Sequence, residues 1–289
     1  MKTLIIGSAI LDTLVEVEHL PIKGIDTMCS NKKYQVGGCG YNVAAAFSYL
    51  NIECDLLIPI GRGINSKEIS KKLFERGLHS ILDLSEGDNG SCICLIEPDG
   101  ERSFLTIPGI EVNFQKKWLK KVEKRYDQIY LSGYQCLEKS GKYIYEWLKT
   151  QNSNIYFAPG PLLNKISDEL LQDIFYLKPV LHLNQQELEL LTNESELFLG
   201  LQKAYEKTSN QIIVTLGKNG AILFEGDTPK IYESIPVEIV NTCGAGDTHI
   251  GTILALNTKS IKLKEKMKIA NTLAAKVVRI EESQLPLRE

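Results

Sequence analysis

No stretch of this 289-residue chain reaches the roughly 18 uncharged apolar residues that a membrane helix needs. The apolar start, MKTLIIGSAILDTL, is too short to span and carries Asp12 within it. No A-x-A-like cleavage site follows, which argues against a signal peptide. A strong charge balance is missing too, with 33 Lys and Arg against 36 Asp and Glu. A formal charge of −3 gives no reason to expect nucleic acid or an anionic membrane as partner. The densest basic run, Lys116 to Arg125, spaces its lysines around Trp118, Leu119 and Val122, as a solvated helix face would. The seven cysteines (Cys29, Cys39, Cys54, Cys92, Cys94, Cys136 and Cys243) are odd in number and dispersed, so no disulfide framework is expected. Reduced thiols and a cytoplasmic location fit them better. Cys92 and Cys94 would share one face of a strand, but no His or second Cys pair accompanies them, so core packing is expected. Internal repeats, low-complexity linkers and a G-x-x-x-x-G-K-S/T phosphate loop are all absent.

What is present is ordinary globular material, 43% apolar and 24% charged, arranged as short β-branched runs alternating with helical stretches. That rhythm marks βαβ units and a parallel sheet. Strands are expected at Thr3–Gly7, Cys54–Ile60, Gln128–Leu131, Asn154–Phe157, Val180–Leu183 and Gln211–Thr215. Helical periodicity appears at Tyr41–Leu50, Lys67–Arg76, Gly141–Thr150, Asp168–Phe175, Gln186–Leu191, Leu197–Thr208, Ala245–Leu256 and Leu263–Arg279. Ala221–Phe224, Lys230–Tyr232 and Val237–Ile239 read as antiparallel strands closing the sheet. Two segments break the rhythm. Residues 12–36 alternate like extended chain, and 91–107 read as a hairpin turning at Pro98-Asp99-Gly100. Both are assigned to a separate small sheet.

Four motifs carry chemistry. Asn241-Thr-Cys-Gly-Ala-Gly-Asp247 follows a predicted strand and opens a helix. Gly244, Ala245 and Gly246 leave unobstructed the N–H groups that lack intrahelical partners, making a pocket for the negative charge of a transferring phosphoryl group. Asp247 lies in the same turn and could accept a proton from a hydroxyl in line with that phosphate. Val36-Gly-Gly-Cys-Gly-Tyr-Asn42 combines close-approach glycines with an amide suited to a polyol. Asn184-Gln-Gln-Glu187 ends a strand and reads either as a capping box or as a site for hydrated Mg²⁺ on polyphosphate. Thr215-Leu-Gly-Lys-Asn-Gly220 is a strand-to-strand turn whose glycines could border a nucleotide. His19, His79 and His182 show no metal spacing and read as structural, as does His249. Arg102 reads as a solvated lid charge. Tyr134 and Gln135, at a strand end, are candidates to face the pocket.

Taken in order, Gly-Gly-x-x-x-Asn, Asn-x-x-Glu, Thr-x-Gly-x-x-Gly and Thr-x-Gly-Ala-Gly-Asp resemble the ribokinase/PfkB family of carbohydrate kinases, over nearly the whole chain. The GDNG (87–90), PDGERSF and SGYQ segments look most similar to bacterial sugar kinases of that family with no assigned substrate. The resemblance implies a three-layer α/β/α ribokinase-like fold with a mostly parallel central sheet and a small β lid. Residues 1–289 would form a single kinase domain, with lid segments at about 12–36 and 91–107. It further implies an ATP-dependent kinase acting on a hydroxyl of a sugar-like molecule. Asp247 would be the general base, and Gly244, Ala245 and Gly246 with Thr242 the anion hole. Asp12, Gly38 and Asn42 would bind the acceptor. Asn184, Glu187, Thr215, Gly217, Gly220 and Asn271 would serve ATP, with Glu187 organising Mg²⁺ through water. Asn241 stands where the family usually has an Asp that helps hold a monovalent cation, which speaks against potassium activation. Ala158-Pro-Gly-Pro-Leu162 lacks the acid and base of the family's corresponding segment. A nucleoside such as pseudouridine as acceptor, a non-catalytic sugar- or nucleotide-binding regulator, and a homodimer joined through the lid stay open.

Overall fold

The computed structural model describes residues 1–98 and 101–288, so Asp99 and Gly100 of the expected turn lie outside the described residues. The chain opens with β1 (Thr3–Ile6), β2 (Ile10–Val17) and β3 (Cys29–Gly37), then α1 (Cys39–Tyr49) and β4 (Asp55–Leu57). Next come α2 (Ile64–Glu75), the hairpin of β5 (Ser91–Ile96) and β6 (Arg102–Ile107), and β7 (Gln128–Ser132). Helix and strand then alternate through α3 (Glu138–Leu148), β8 (Asn154–Ala158), α4 (Asp168–Tyr176) and β9 (Val180–Asn184). Two helices, α5 (Gln185–Thr192) and α6 (Leu197–Thr208), precede β10 (Ile212–Thr215). The last elements are β11 (Ala221–Phe224), β12 (Lys230–Tyr232), α7 (Ala245–Asn257) and α8 (Leu263–Val277).

Eight strands build one sheet in the order β12-β11-β10-β9-β8-β7-β1-β4, parallel from β10 to β4 and antiparallel at β11 and β12. The reason lies in the side chains. Leu4, Ile5 and Ile6 are fully buried, and successive residues must bury themselves on opposite faces. Leu4 and Ile6 join Ile129, Leu131 and Phe157 beneath α3, α4 and α6. Ile5 joins Tyr130 and Ile58 beneath α1, α2 and α7. Ile213 and Leu223 meet Ile253 of α7 and Met267 of α8 on that same side. Helices on both faces make the α/β/α sandwich, with every parallel strand ending toward one edge, where open α/β sheets place their ligands.

The two segments that broke the rhythm form a second sheet, in the order β3-β2-β5-β6. Strands β2 and β5 pair in parallel, with β3 and β6 antiparallel on the outside. Cross-strand register sets Gln35, Asp12, Cys92 and Thr106 in one row. Cys92 and Cys94 share that face and are buried free thiols, as packing residues should be. Among the described residues no group of three or more His, Cys, Asp or Glu is placed to hold a metal ion.

Two expectations need correction. Val237–Ile239 is not a strand. The sheet ends at β12, and the following chain turns to α8 instead, where Val240 and Asn241 N–H both donate to Val278 O at 2.7 and 3.1 Å. The basic run is a 3₁₀ turn over Lys116–Lys121, not an α-helix. It buries Trp118 and Leu119 and leaves its lysines exposed, so the solvated face stands although the helix type does not.

Candidate active site

Helix α7 begins at Gly244 with φ +74°, and a Cβ there would lie 1.7 Å from the Ser283 carbonyl oxygen. Only glycine meets both demands. The turn it permits presents the N–H groups of Gly246 and Asp247, which precede the first helical bond from Thr248 N–H to Gly244 O at 2.8 Å. Gly246 has open space around it. The arrangement is an anion-binding helix start with a carboxylate in its first turn.

That carboxylate, half-buried Asp247, accepts a hydrogen bond from Asn42 Nδ2 at 2.9 Å. Burial pushes its pKa up to about 6; the Asn42 bond pulls it down and the negative charge of Glu187 adds to the rise. Asp247 is therefore ionised at pH 7 yet a better base than an ordinary carboxylate. Asn42 is buried, and its Oδ1 accepts from Ser283 Oγ at 3.4 Å, which turns its Nδ2 toward Asp247. The amide expected to bind the acceptor thus also holds the Asp247 carboxylate. Ser283 has no motif that could have announced it. A pH profile tests the site: kcat/KM should fall about tenfold per pH unit below an apparent pKa near 6. A limb at the ordinary aspartate value would separate Asp247 from proton transfer.

Asp12 points from β2 beneath the lid, and Gly37 makes room for it, because a Cβ on Gly37 would sit 2.1 Å from Asp12 Oδ2. Burial raises the Asp12 carboxyl to about 7, against a lowering hydrogen bond from Gln35. It can then both accept from and donate to hydroxyls near neutrality. Gln35, unnoticed in the sequence, follows from the β2–β3 pairing that sets it opposite Asp12. Gly38, with φ +97°, passes close to the Ser8 backbone, so its place is set by the turn. Cys39 lies between Ser132 Oγ at 2.8 Å and Ser8 Oγ at 3.5 Å. Burial and then the charge of Asp247 raise its thiol, which stays protonated and is no nucleophile. Tyr134 is 36% exposed, while Gln135 is buried and donates to Glu111 O.

A cavity of about 370 Å³ adjoins the turn. Asn184, Thr215, Gly217, Gly220, Thr242, Ala245, Gly246 and Asn271 all line it, so most residues expected to serve ATP converge there. Ile235, Val237, Ile239, Ala274 and Val278 supply an apolar wall. Asn271 spends its amide N–H groups on Tyr232 O and Glu233 O, and so braces that wall. Glu187 lies back from the cavity in a capping box. Its carboxylate accepts from Asn184 N at 3.0 Å and Nδ2 at 2.9 Å, and its N–H donates to Asn184 Oδ1. Its pKa is raised by burial, and its hydrogen-bond partners are uncharged amides. A half-buried carboxylate beside an amide oxygen is the hard-oxygen set that suits Mg²⁺, so the residues fit that ion.

His249 lines the cavity, its Nδ1 meets His182 Nε2 at 3.0 Å, both rings are buried, and burial lowers both pKa values. The expectation for Arg102 fails. It is not a solvated lid charge, because its guanidinium leaves β6 to donate to Asn241 Oδ1, Val240 O and Cys243 Sγ.

A helix start with free N–H groups, a half-buried carboxylate in its first turn, an adjoining cavity and a β lid on an α/β/α sheet are the parts expected of a small-molecule kinase. The chain matches the pfkB family carbohydrate kinase profile over residues 2–289 and belongs to that family. It is 33% identical over 283 residues to an uncharacterized sugar kinase of Escherichia coli K12, YegV, covering 96% of this chain and 88% of that protein. It is 26% identical to an Arabidopsis thaliana ribokinase, with 96% of this chain and 76% of that one covered. Ribokinase from Thermotoga maritima superposes with a TM-score of 0.83 at 20% identity, covering 100% and 97% of the two chains. Arabidopsis ribokinase bound to ribose and ATP gives 0.82 at 22% identity, covering 98% and 94%. The protein is an ATP-dependent kinase of sugar-like substrates. No helix among the described residues is long and apolar enough to cross a membrane.

Proposed function

We propose that the protein transfers the γ-phosphoryl group of ATP to a hydroxyl, a primary one, of a sugar or sugar-like alcohol. The observation that carries this reading is the Asp247 carboxylate, held by Asn42, beside the helix start whose Ala245 and Gly246 line the adjoining cavity. Asp12 orients the acceptor so that one hydroxyl reaches Asp247, which takes its proton as the new O–P bond forms and ADP departs. The transition state of such a transfer is loose, so placement counts for more than basicity. Of the expected 244–246 set, the Ala245 N–H is taken by Thr242 O at 3.4 Å, so the N–H groups of Gly246 and Asp247 stabilise the charge on the moving group. Nucleotide binding falls to Asn184, Thr215, Gly217, Gly220, Thr242 and Asn271. Glu187 and Asn184 would hold Mg²⁺, which neutralises polyphosphate charge when bound. The lid excludes water from the transfer.

The test is ADP release from purified protein with Mg-ATP across a panel of sugars and nucleosides. Turnover with a sugar supports the reading. Turnover with nucleosides alone replaces the acceptor class, and silence with retained sugar or nucleotide binding would favour a regulator.

We further propose a homodimer through the lid. Strand β6 is an unpaired sheet edge carrying exposed Phe104, Leu105 and Ile107, and Tyr34 is exposed on β3. A second copy would cover these residues. Sedimentation should give a dimer that Leu105→Asp converts to monomer; a monomeric parent chain rejects it.

A further inference from the structure

Besides the apolar packing of Leu11 and Val36 into the core under α1 and α2, two cations, one from each edge strand of its sheet, tie the lid to the body. Arg102 of β6 donates to Asn241 Oδ1, to Val240 O at 3.4 Å and to Cys243 Sγ at 3.8 Å. Lys33 of β3 donates to Glu281 Oε2 at 2.8 Å and Glu282 Oε1 at 3.0 Å.

The two gripped segments are tied to each other by Asn241. Its side chain is 2% exposed. Its Oδ1 accepts from Cys243 N–H at 2.9 Å, and its Nδ2 donates to Glu281 O at 2.6 Å. Each segment then supports one half of the chemistry. The 241–243 stretch leads into Gly244 and the open N–H groups of α7. The 281–283 stretch brings Ser283, whose Oγ holds Asn42 and whose carbonyl walls off Gly244. Asn42 in turn holds Asp247. Between the two arms, on β2, sits Asp12.

We propose that Arg102 is a positioning residue that sets the 242–246 turn from the lid, with Lys33 as a weaker second arm on the 281–283 support. The anion hole is then complete only while the lid lies on the body, so the acceptor under Asp12 is enclosed and the hole formed in one event. The inference rests on the kinase reading for its catalytic consequence, though not for the contact itself. Arg102 is suited to the task because its guanidinium presents several N–H donors in a rigid planar fork, where a lysine offers a point charge on a flexible stem. Lys33 and its partners are solvent-exposed, with Lys33 42% exposed, so that pair contributes little by itself.

The experiment compares the unmodified chain with Arg102→Ala, Arg102→Lys and Lys33→Ala by hydrogen–deuterium exchange, without ligand, and by steady-state kinetics on an acceptor from the panel. Arg102→Ala should speed exchange at 242–246 severalfold and lower kcat by about tenfold to hundredfold, the size expected of small misplacements at a reacting centre. KM for ATP should stay within about threefold, and Arg102→Lys should recover part of kcat. Lys33→Ala should speed exchange at 280–285 and change kcat by less than about threefold. Unchanged exchange at 242–246 in Arg102→Ala overturns the proposal whatever happens to kcat. Faster exchange with unchanged kcat overturns it as well. If Arg102→Ala unfolds, Arg102→Lys carries the same two criteria. If the unmodified chain turns over nothing, the kinase reading fails, and the exchange comparison still decides whether Arg102 orders the turn.

Discussion

Asp247→Asn is expected to lower kcat by about 10²–10⁴-fold, the contribution typical of a positioned proton acceptor. Asparagine keeps the volume and can still accept from Asn42 Nδ2 through its Oδ1, so the geometry of the α7 start should persist. Asp247 is not among the residues lining the cavity proposed to take ATP, and ATP affinity should change little. Stability moves the other way. A carboxyl raised to about 6 by burial favours the protonated form in the folded state. Its stabilising contribution is complete below the unfolded value near 3.9 and is lost as pH rises through about 6. At pH 7.5 the ionised group therefore costs stability, which asparagine does not. Asp247→Asn should melt at or above the unmodified chain at pH 7.5, with the gap closing toward pH 4. Near-normal turnover in a folded Asp247→Asn protein would remove Asp247 from the chemistry.

Gly244→Ala should be the most damaging single-methyl change in the site. At φ +74° an alanine costs about 1–2 kcal/mol by itself. The new Cβ would also lie 1.7 Å from the Ser283 carbonyl oxygen, a backbone atom that cannot rotate away. Relieving that overlap adds roughly 1–3 kcal/mol and pulls the 281–283 support from the turn. Together these predict a melting temperature lower by on the order of 5–15 °C. They also predict a kcat loss of about a hundredfold or more, because the N–H groups no longer converge on the transferring group. Gly217→Ala is the comparison. Its φ is +57° but nothing lies within 4 Å of the added Cβ, so only the backbone cost applies. Equal melting shifts in the two variants would show that the Ser283 contact does not hold the turn.

Much of this was legible in the chain because the signals were local. Most parallel strands are short, largely buried apolar runs, and the six expected parallel strands and eight expected helices needed only that pattern or a 3.6-residue period to be placed. The Asn184–Glu187 capping box follows from spacing alone. So does the glycine turn that exposes the α7 N–H groups. What stayed hidden depends on partners far away in sequence. Arg102 looked solvated because its acceptor, Asn241, is 139 positions distant. The hold of Asn42 on Asp247 was hidden because Asp247 and Ser283, its two hydrogen-bond partners, lie 205 and 241 positions away. Val237–Ile239 has strand composition, yet its neighbourhood is fixed by α8 and the cavity. Composition describes a residue's preference, and in these places the neighbours decided.

The position of β1 inside the sheet has a consequence for how the molecule is made. Thr3 pairs with Gln128 across 125 positions, and Gln128 also reaches Leu254 O. While the ribosome is still producing the first hundred or so residues, β1 has only β4 beside it, and its backbone edge toward β7 is unpaired. The lid can pair its own strands during that interval, because all four lie before position 108. The lid therefore precedes the body it will cover, and the nascent chain carries an unsatisfied apolar strand until β7 emerges. Such long-range parallel pairing is slow and prone to association. Refolding yield should depend on protein concentration, and on chaperones that shield β1 until its second neighbour arrives.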